Sequence, residues 1–230
     1  MRKLSRRQKE IRQKIQETPY LNLEEAIENL KSTATAKFIE SVEIHANLNI
    51  DPKYTDQQLR TTVTLPHGTG QTVKIAVLTS PENIGEAQTA GADLVGSEDL
   101  IQEMSQGNID FDLLIATPEM MPKLAKLGRV LGPKGLMPSP KSGTVTTTLT
   151  ETLESFKKGK FEYKADKSGV VHIIFGKSDF SVEQLVENLQ AIYKSIEQNR
   201  PSGVKGKYFK SIYICSTMGP SIQLDLSTFS

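Results

Sequence analysis

Apolar and polar residues alternate along one stretch of the N-terminal third of the chain. The apolar positions are Val42, Ile44, Ala46, Leu48 and Ile50, and the residues between them are Glu43, His45, Asn47 and Asn49. Because successive side chains of a strand point to opposite faces, this period of two predicts a half-buried strand with a polar outer face. A second strand is predicted over residues 59–65, where Pro66-His67-Gly68 ends it.

Helical patterns precede these strands. Asn22, followed three residues later by Glu25, is typical of a helix N-terminus, and Leu23, Ile27 and Leu30 supply an apolar stripe. A further helical arm is predicted over residues 1–15. The first part of the chain therefore has a mixed α+β character.

The middle of the chain follows a different pattern, in which short, unbroken apolar runs alternate with helical segments. The runs cover residues 73–78, 93–95 and 112–116, and the helical segments cover 84–90, 98–104 and 118–127. Unbroken apolar strands separated by helices are typical of a buried, mostly parallel sheet.

The last part of the chain returns to the mixed pattern. Residues 161–165 and 170–175 predict a hairpin around Asp166-Lys167-Ser168-Gly169. A long amphipathic helix is predicted to begin at Ser181, which forms a capping box with Gln184, and a final strand is predicted over residues 209–216. Since α+β patterns bracket an α/β block, we expect one domain inserted into another, with boundaries 1–66, 67–159 and 160–230.

Residues 126–145 are rich in glycine, proline and positive charge. The segment contains four glycines, three prolines and the cations Lys126, Arg129, Lys134 and Lys141. Proline removes a backbone donor and glycine weakens regular structure, so the composition predicts a surface loop and not a helix interior or a central strand. Such a loop suits a polyanion, although a connector that happens to be basic is the alternative.

The net charge conceals an asymmetry. Across the 230 residues, 28 Lys and Arg face 27 Asp and Glu, which gives a formal net charge of +1. Residues 1–15 nevertheless hold seven cations against one acid. A basic arm on a nearly neutral body is typical of proteins that bind phosphate backbones, and a solvated helix start is an equally open alternative. No apolar run approaches the roughly 20 residues of a membrane span, so we expect no membrane partner.

The residues that could bind a metal ion or a nucleotide do not have the spacing that such sites require. One cysteine, Cys215, excludes a disulfide framework and is predicted to be a small buried hydrophobe. The three histidines show no H-x-x-H spacing, so no zinc site is expected. No phosphate-binding G-x-x-x-x-G-K-[ST] motif occurs, and Gly68-Thr69-Gly70 precedes a strand where a dinucleotide fingerprint would follow one. We therefore expect neither an enzyme nor a cofactor.

Polar and small residues near the strand ends supply an inventory suited to RNA. RNA recognition uses hydroxyls and backbone groups on ribose and phosphate, with aromatic or aliphatic contacts to bases. The inventory comprises His45 and Asp166 together with ten candidates: Lys37, Phe38, Glu43, Lys167, Ser168, His172, Ser211, Thr217, Met218 and Gly219. Taken singly, each is better explained as a polar strand face, a core aromatic or a turn, and the RNA interpretation gains weight only from the set as a whole.

Residues 121–138, MPKLAKLGRVLGPKGLMP, resemble the signature of the ribosomal protein L-one family, the stalk protein of the large ribosomal subunit. Residues 34–51, 63–70 and 216–220 match the same family in order, so the resemblance covers essentially the whole chain. It implies an α/β (α+β) fold with two domains: a split α+β RNA-binding domain and an inserted Rossmann-like α/β/α domain.

The resemblance also implies a function. The split domain would bind large-subunit ribosomal RNA through the ten candidates above, while Arg129, Lys134 and Lys141 would make auxiliary contacts to RNA or transfer RNA. The protein would form the mobile stalk, help release deacylated transfer RNA from the E site, and repress its own operon's messenger RNA in some members. It would be monomeric within the ribosome and carry no metal or cofactor.

Two other functions stay open on the sequence alone. An α/β enzyme would bind a nucleotide or phosphorylated ligand at the strand ends of the middle domain, and a non-ribosomal relative would act in ribosome assembly. Without a transit peptide, we expect the protein in the chloroplast stroma, encoded by the plastid, or in the bacterial cytoplasm.

Overall fold

The computed structural model describes Arg7, residues 9–11, Tyr20, 22–204 and 206–229. Arg7 and residues 9–11 are helical, but most of the predicted basic arm, including Arg2, Lys3, Arg6, Arg12 and Lys14, lies outside the described residues. In chain order the strands are β1 (Ser41–Leu48), β2 (Arg60–Thr64), β3 (Ile75–Leu78), β4 (Leu94–Gly96), β5 (Leu113–Ala116), β6 (Lys160–Lys164), β7 (Val170–Lys177), β8 (Phe209–Ser216) and β9 (Ile222–Leu224). The helices from residue 22 onward are α1 (Leu23–Thr33), α2 (Ile84–Thr89), α3 (Glu98–Ser105), α4 (Met121–Leu124), α5 (Gly128–Lys134), α6 (Leu149–Lys157) and α7 (Val182–Gln198).

The chain divides into two compact units. The first combines Met1–Gly70 with Glu162–Ser230, and the second is Gln71–Phe161. These boundaries lie a few residues from the predicted crossings. The mixed α/β class predicted from the sequence is confirmed, with helices and several sheets distributed over both units. Within the described ranges, no helix combines the length and the apolar composition that crossing a bilayer requires.

The first unit is organised around an antiparallel sheet with strand order β7-β1-β8-β9. In β1, burial alternates along the strand as the sequence predicts, with Val42, Ile44, Ala46 and Leu48 buried. Ser41 lies opposite Lys177 of β7 and Asn47 lies opposite Val170, so β1 is paired along its length. Helices α1 and α7 pack on the sheet and cover its apolar face.

The ends of these two helices follow the predicted capping chemistry. The Asn22 side chain accepts a hydrogen bond from Glu24 N at 3.0 Å, which satisfies one orphan donor at the start of α1. Ser181 and Gln184 form the full capping box of α7. Within α7, Asn188 is fully buried, and its Nδ2 donates to Phe175 O at 2.8 Å and to Gly68 O at 3.0 Å. This amide therefore fixes the chain just after β2.

The second unit is a three-stranded parallel sheet, order β4-β3-β5, with helices on both faces. One face packs Ala76, Leu78, Leu114 and Ala116 against residues of α3, α4 and α5. The other packs Ile75, Val77 and Ile115 against α2 and α6. Burial on both faces explains the unbroken apolar runs of β3 and β5, whereas the edge strand β4 is only partly buried.

The predicted hairpin of residues 161–165 and 170–175 is wrong in its pairing. β6 pairs with β2 in a separate two-stranded sheet, and β7 joins the large sheet beside β1. Only the tip retains hairpin character, with an Ala165–Val171 bridge and Asp166 N donating to Val170 O at 2.8 Å. Sequence proximity favoured the local partner, but β7 pairs with β1 along its length, from Val170 opposite Asn47 to Lys177 opposite Ser41.

The prediction that residues 126–145 cannot form a helix interior is also wrong. Gly128–Lys134 is helical even though Pro133, in the last turn, removes one backbone donor from the helix. Leu124, Leu127 and Leu131 are buried in the core and lie at helical spacing. That apolar stripe outweighs the weak propensity of the glycines, and Gly135, with a φ of 74°, ends the helix.

Candidate nucleic-acid interface

The two segments that carry most of the predicted strand-end residues meet around a buried carboxylate. Glu40 lies just before β1 and is 1% exposed. Its Oε1 accepts a hydrogen bond from Ala36 N at 3.0 Å, and its Oε2 accepts from Ser216 Oγ at 2.7 Å and from Met218 N at 2.9 Å. The carboxylate therefore joins the turn before β1 to the turn after β8, and we call this junction the braced corner (residues 36–41 and 216–219).

The braced corner depends on Glu40 being charged. Burial by itself raises the pKa of Glu40, because it disfavours the charged form. The hydrogen bonds from Ser216, Met218 and Ala36, together with the nearby Arg7 charge, outweigh burial and lower the pKa below its ordinary 4.5. The corner is thus held by charge-assisted hydrogen bonds at neutral pH.

Thr217 ties the same corner to the start of β1. Its amide donates to Ser41 O at 3.0 Å, and its Oγ1 accepts from Ser41 N at 3.0 Å. Arg7 adds a bond from Nη2 to Met218 O at 3.1 Å. The Thr217 hydroxyl is therefore already used inside the protein, where it fixes the path of the turn.

Gly219 is required here for space. A Cβ at this position would lie 2.4 Å from Ser216 Oγ. A side chain would therefore displace the hydroxyl that binds Glu40.

Three apolar side chains of the braced corner are exposed to solvent. Phe38 is 56% exposed, Ile39 59% and Met218 56%, beside the exposed Lys37. Exposed aromatic and aliphatic side chains normally collapse into a core or cover a partner. A rigid apolar surface beside a cation can contact a base or sugar and its phosphate at the same time.

The outer face of the sheet continues from this corner along β7, β1 and β8. Glu43 and His45 of β1 point to this face, and His45 lies opposite His172 of β7. His45 Nδ1 contacts His172 Nδ1 at 2.7 Å, and His45 Nε2 contacts Cys215 Sγ at 3.0 Å. Burial and the His172 charge lower the pKa of His45, although Glu43 opposes them.

The prediction that Cys215 is a buried hydrophobe is wrong. Cys215 is half-buried on the polar face of β8, opposite Glu43, while Ile214 and Ser216 on either side are buried. The apolar run IYIC hid the alternation, because Tyr213 and Cys215 occupy the outward positions. Burial, with the Glu43 charge, raises the pKa of the Cys215 thiol.

The far end of this face is closed by the turn before β7. Asp166 Oδ1 accepts from Ser168 N and from Val170 N, each at 2.8 Å, which orders the turn. The bond from Val170 N, opposed by burial and aided by the bond from Ser168 N and by His172, lowers the pKa of Asp166. Lys167 and Ser168 are exposed at the tip of the turn.

The ten sequence-predicted residues lie in three adjoining parts of the first unit: the braced corner, the outward positions of β7, β1 and β8, and the 166–169 turn. Together we call these parts the interface strip. Lys37, Phe38, Thr217, Met218 and Gly219 lie at the corner, Glu43 and His172 in the middle, and Lys167, Ser168 and Ser211 at the far end. From Ser41 to Asn47 the strip runs about 20 Å along β1. The auxiliary candidates Arg129, Lys134 and Lys141 are exposed in the second unit.

Sequence reasoning missed two groups of residues. Glu40 and Ser216 hold the braced corner, but no local pattern distinguishes Glu40 from a solvated acid. The spacing argument against a metal site also missed that strand pairing brings Glu43, His45 and Cys215 together, with their donor atoms within 4.8 Å of one another. Cross-strand neighbours are invisible to a search for short motifs.

Comparisons with known proteins give a consistent result. The model of the Ribosomal protein L1p/L10e family matches residues 30–220. The large ribosomal subunit protein uL1c of Trieres chinensis is 77% identical over 229 residues, covering 100% of both chains, and that of Phaeodactylum tricornutum is 70% identical over 230 residues with the same coverage. The large ribosomal subunit protein uL1 of Thermosynechococcus vestitus is 60% identical over 227 residues, or 99% of this chain and 95% of the relative.

Proposed function

We propose, because the chain belongs to the ribosomal protein L1p/L10e family, that its interface strip binds the ribosomal RNA of the large subunit directly. As a member of that family the chain is a structural protein of the large ribosomal subunit and not an enzyme. Its relatives include the uL1c proteins of Trieres chinensis and Phaeodactylum tricornutum and the uL1 protein of Thermosynechococcus vestitus, so it acts on the ribosome of a chloroplast or of a bacterial cytoplasm.

The observation that carries the proposal is the exposure of Phe38 and Met218 on a rigid corner. Both side chains are 56% exposed, although the backbone beneath them is fixed by the buried Glu40 carboxylate. The corner is already ordered in the folded protein, so binding RNA costs little additional conformational entropy there. A pre-ordered apolar surface is what stacking on an unpaired base requires.

The rest of the strip supplies complementary chemistry. Lys37 and Lys167 lie at opposite ends and suit phosphates, and Ser168 and Ser211 suit ribose hydroxyls or phosphate oxygens. A contact surface of this length favours a folded RNA over a single extended strand. Thr217 and Gly219 act from within, since they hold the corner and do not need to touch RNA.

We further propose the finer activities that the resemblance implies. The protein would form part of the mobile stalk and assist release of deacylated transfer RNA from the E site, with Arg129, Lys134 and Lys141 as auxiliary contacts. A messenger RNA that folds like the ribosomal site would occupy the same strip and be repressed. The support for these roles is the exposure of the three cations and the breadth of the strip.

The second unit gives little support to the alternative function, that of a nucleotide-binding enzyme. The crevice at the carboxyl ends of its parallel strands is lined by Glu98, Asp99 and Glu119 with a single cation, Lys123. Lys123 Nζ already contacts Glu98 Oε1 at 2.6 Å. Three carboxylates repel phosphate, so this crevice is unsuited to a nucleotide.

Filter binding of the full-length protein to a large-subunit ribosomal RNA stalk fragment tests the proposal. The double variant Phe38→Ala, Met218→Ala should weaken binding by about 1–3 kcal/mol for each base that loses its contact. The matched control Leu94→Ala removes an exposed apolar side chain of the second unit and should leave affinity unchanged. If the double variant is folded by circular dichroism and still binds with wild-type affinity, the braced corner is not part of the interface.

A further inference from the structure

We propose that Glu43, His45 and Cys215 form a binding site for a thiophilic divalent cation, with Zn²⁺ as the best-fitting ion. The inference does not rest on the RNA-binding proposal, because it concerns the protein alone. The three residues come from two neighbouring strands, with Glu43 directly opposite Cys215 across the β1–β8 pair. Together they offer one oxygen, one nitrogen and one sulfur donor.

The geometry is close to that of a tetrahedral site. His45 Nε2 lies 3.0 Å from Cys215 Sγ and 3.9 Å from Glu43 Oε2. Zinc bonds of ordinary length place such donor atoms about 3.4–3.6 Å apart. The donor atoms, which all lie within 4.8 Å of one another, are therefore near the separations that a tetrahedral ion requires.

The surroundings of His45 orient it as metal ligands are usually oriented. If Nε2 binds the ion, the ring proton lies on Nδ1, which then donates to His172 Nδ1 at 2.7 Å. The proton of His172 then lies on Nε2, which faces Asp166 Oδ2 at 3.7 Å. A carboxylate–histidine–histidine chain of this kind fixes the tautomer of the ligand, as outer partners of metal-bound histidines do.

Three protein donors leave a fourth position on the solvent side, where water completes the coordination. The two charges of the ion are balanced by the Glu43 carboxylate and the Cys215 thiolate, with release of the thiol proton. A loaded site would therefore remove the negative charge from the middle of the interface strip, where it otherwise repels phosphate.

Titration of the full-length, chelator-treated and reduced protein with Co²⁺ alone tests the site. We expect one equivalent to produce a thiolate-to-cobalt charge-transfer band and the visible bands of tetrahedral cobalt, and Zn²⁺ to bleach both. Zn²⁺ should also slow the reaction of Cys215 in the wild-type protein with a thiol reagent. Absence of the charge-transfer band, or an unchanged thiol reaction rate, would overturn the proposal.

Variants then assign the ligands. Cys215→Ser should abolish the charge-transfer band, whereas His172→Gln should keep the band and weaken the metal by about 10- to 100-fold, as expected for a positioning residue. The matched control is His67→Gln, because His67 contacts Glu187 at 2.6 Å in a two-donor pair elsewhere on the first unit. A band that persists in Cys215→Ser, or equal weakening by His67→Gln and His45→Gln, would refute the assignment.

Discussion

Two surfaces of this protein have the features of an RNA contact, and they are built in opposite ways. The interface strip owes its shape to buried groups, above all Glu40, and its exposed residues include acids as well as cations. The segment 126–145 presents Arg129, Lys134 and Lys141 to solvent on a short helix and the turn that follows it. The first surface is defined by geometry and the second by charge.

We expect the two surfaces to contribute differently to RNA binding, the basic segment to affinity and the interface strip to specificity. Cations attract any phosphate backbone, and the attraction falls steeply with salt. Discrimination among RNAs needs donors, acceptors and stacking surfaces at fixed positions. We therefore expect perturbations of the braced corner to change which RNA is bound, and perturbations of the basic segment to change only how tightly any RNA is bound.

The largest effect is expected from Glu40→Ala. The substitution leaves the Ala36 and Met218 amides and the Ser216 hydroxyl without their acceptor, which should cost about 3 kcal/mol of folding stability in urea unfolding. The affinity of the protein for ribosomal RNA should decrease together with its stability. Glu28→Ala, which removes an exposed acid of α1, is the control and should stay within about 0.5 kcal/mol of wild type.

The pH dependence of unfolding tests whether the negative charge of Glu40 is what stabilises the braced corner. Because the pKa of Glu40 is lowered in the folded protein, its contribution is complete above the ordinary value of 4.5 and is lost as the pH falls through the lowered pKa. Glu40→Gln should therefore be less stable than wild type at neutral pH and lose less stability on acidification. Parallel acid profiles for the two proteins would show that the carboxylate charge does not hold the corner.

A smaller effect is expected from Thr217→Val. It removes the hydroxyl that accepts from Ser41 N and should cost about 1 kcal/mol of stability, with reduced preference for ribosomal over unrelated RNA. Thr217→Ser keeps the hydroxyl and should restore both. Thr64→Val, at an exposed position of β2, controls for the change in side-chain type. Loss of RNA affinity without loss of stability would instead indicate direct contact between Thr217 and RNA.

The smallest effect is expected from Lys134→Ala. Removing one phosphate contact should weaken binding about threefold, lower the slope of log affinity against log salt by about one, and affect ribosomal and unrelated RNA equally. Lys194→Ala, on an exposed position of α7, should change neither quantity. A selective loss of ribosomal RNA binding in Lys134→Ala would show that the basic segment also contributes to specificity.

The elements of this fold were largely predictable from the sequence, but its pairings were not. The alternation in β1, the capping box of α7 and the buried strands β3 and β5 follow from local side-chain chemistry, and each was predicted correctly. The partner of β6 and the helix at Gly128–Lys134 were mispredicted, because β6 pairs with a strand distant in the sequence and the helix packs on core residues of other elements.

The candidate site divides in the same way. Its exposed members, such as Phe38 and Met218, were predicted from residue type and the family resemblance, whereas Glu40 was not predicted at all. Glu40 gains its role only when the turns around Ala36 and Met218 meet, at a sequence separation that no local pattern spans.

By itself the sequence determined most of the helices and strands, the buried face of β1 and the family to which the chain belongs, because these follow from spacing and side-chain type. Only the tertiary structure decided that a buried carboxylate braces the exposed corner and that Glu43, His45 and Cys215 are neighbours. The physical reason is that strand pairing brings together groups far apart in the chain, and burial then sets the charge and strength of the contacts between them.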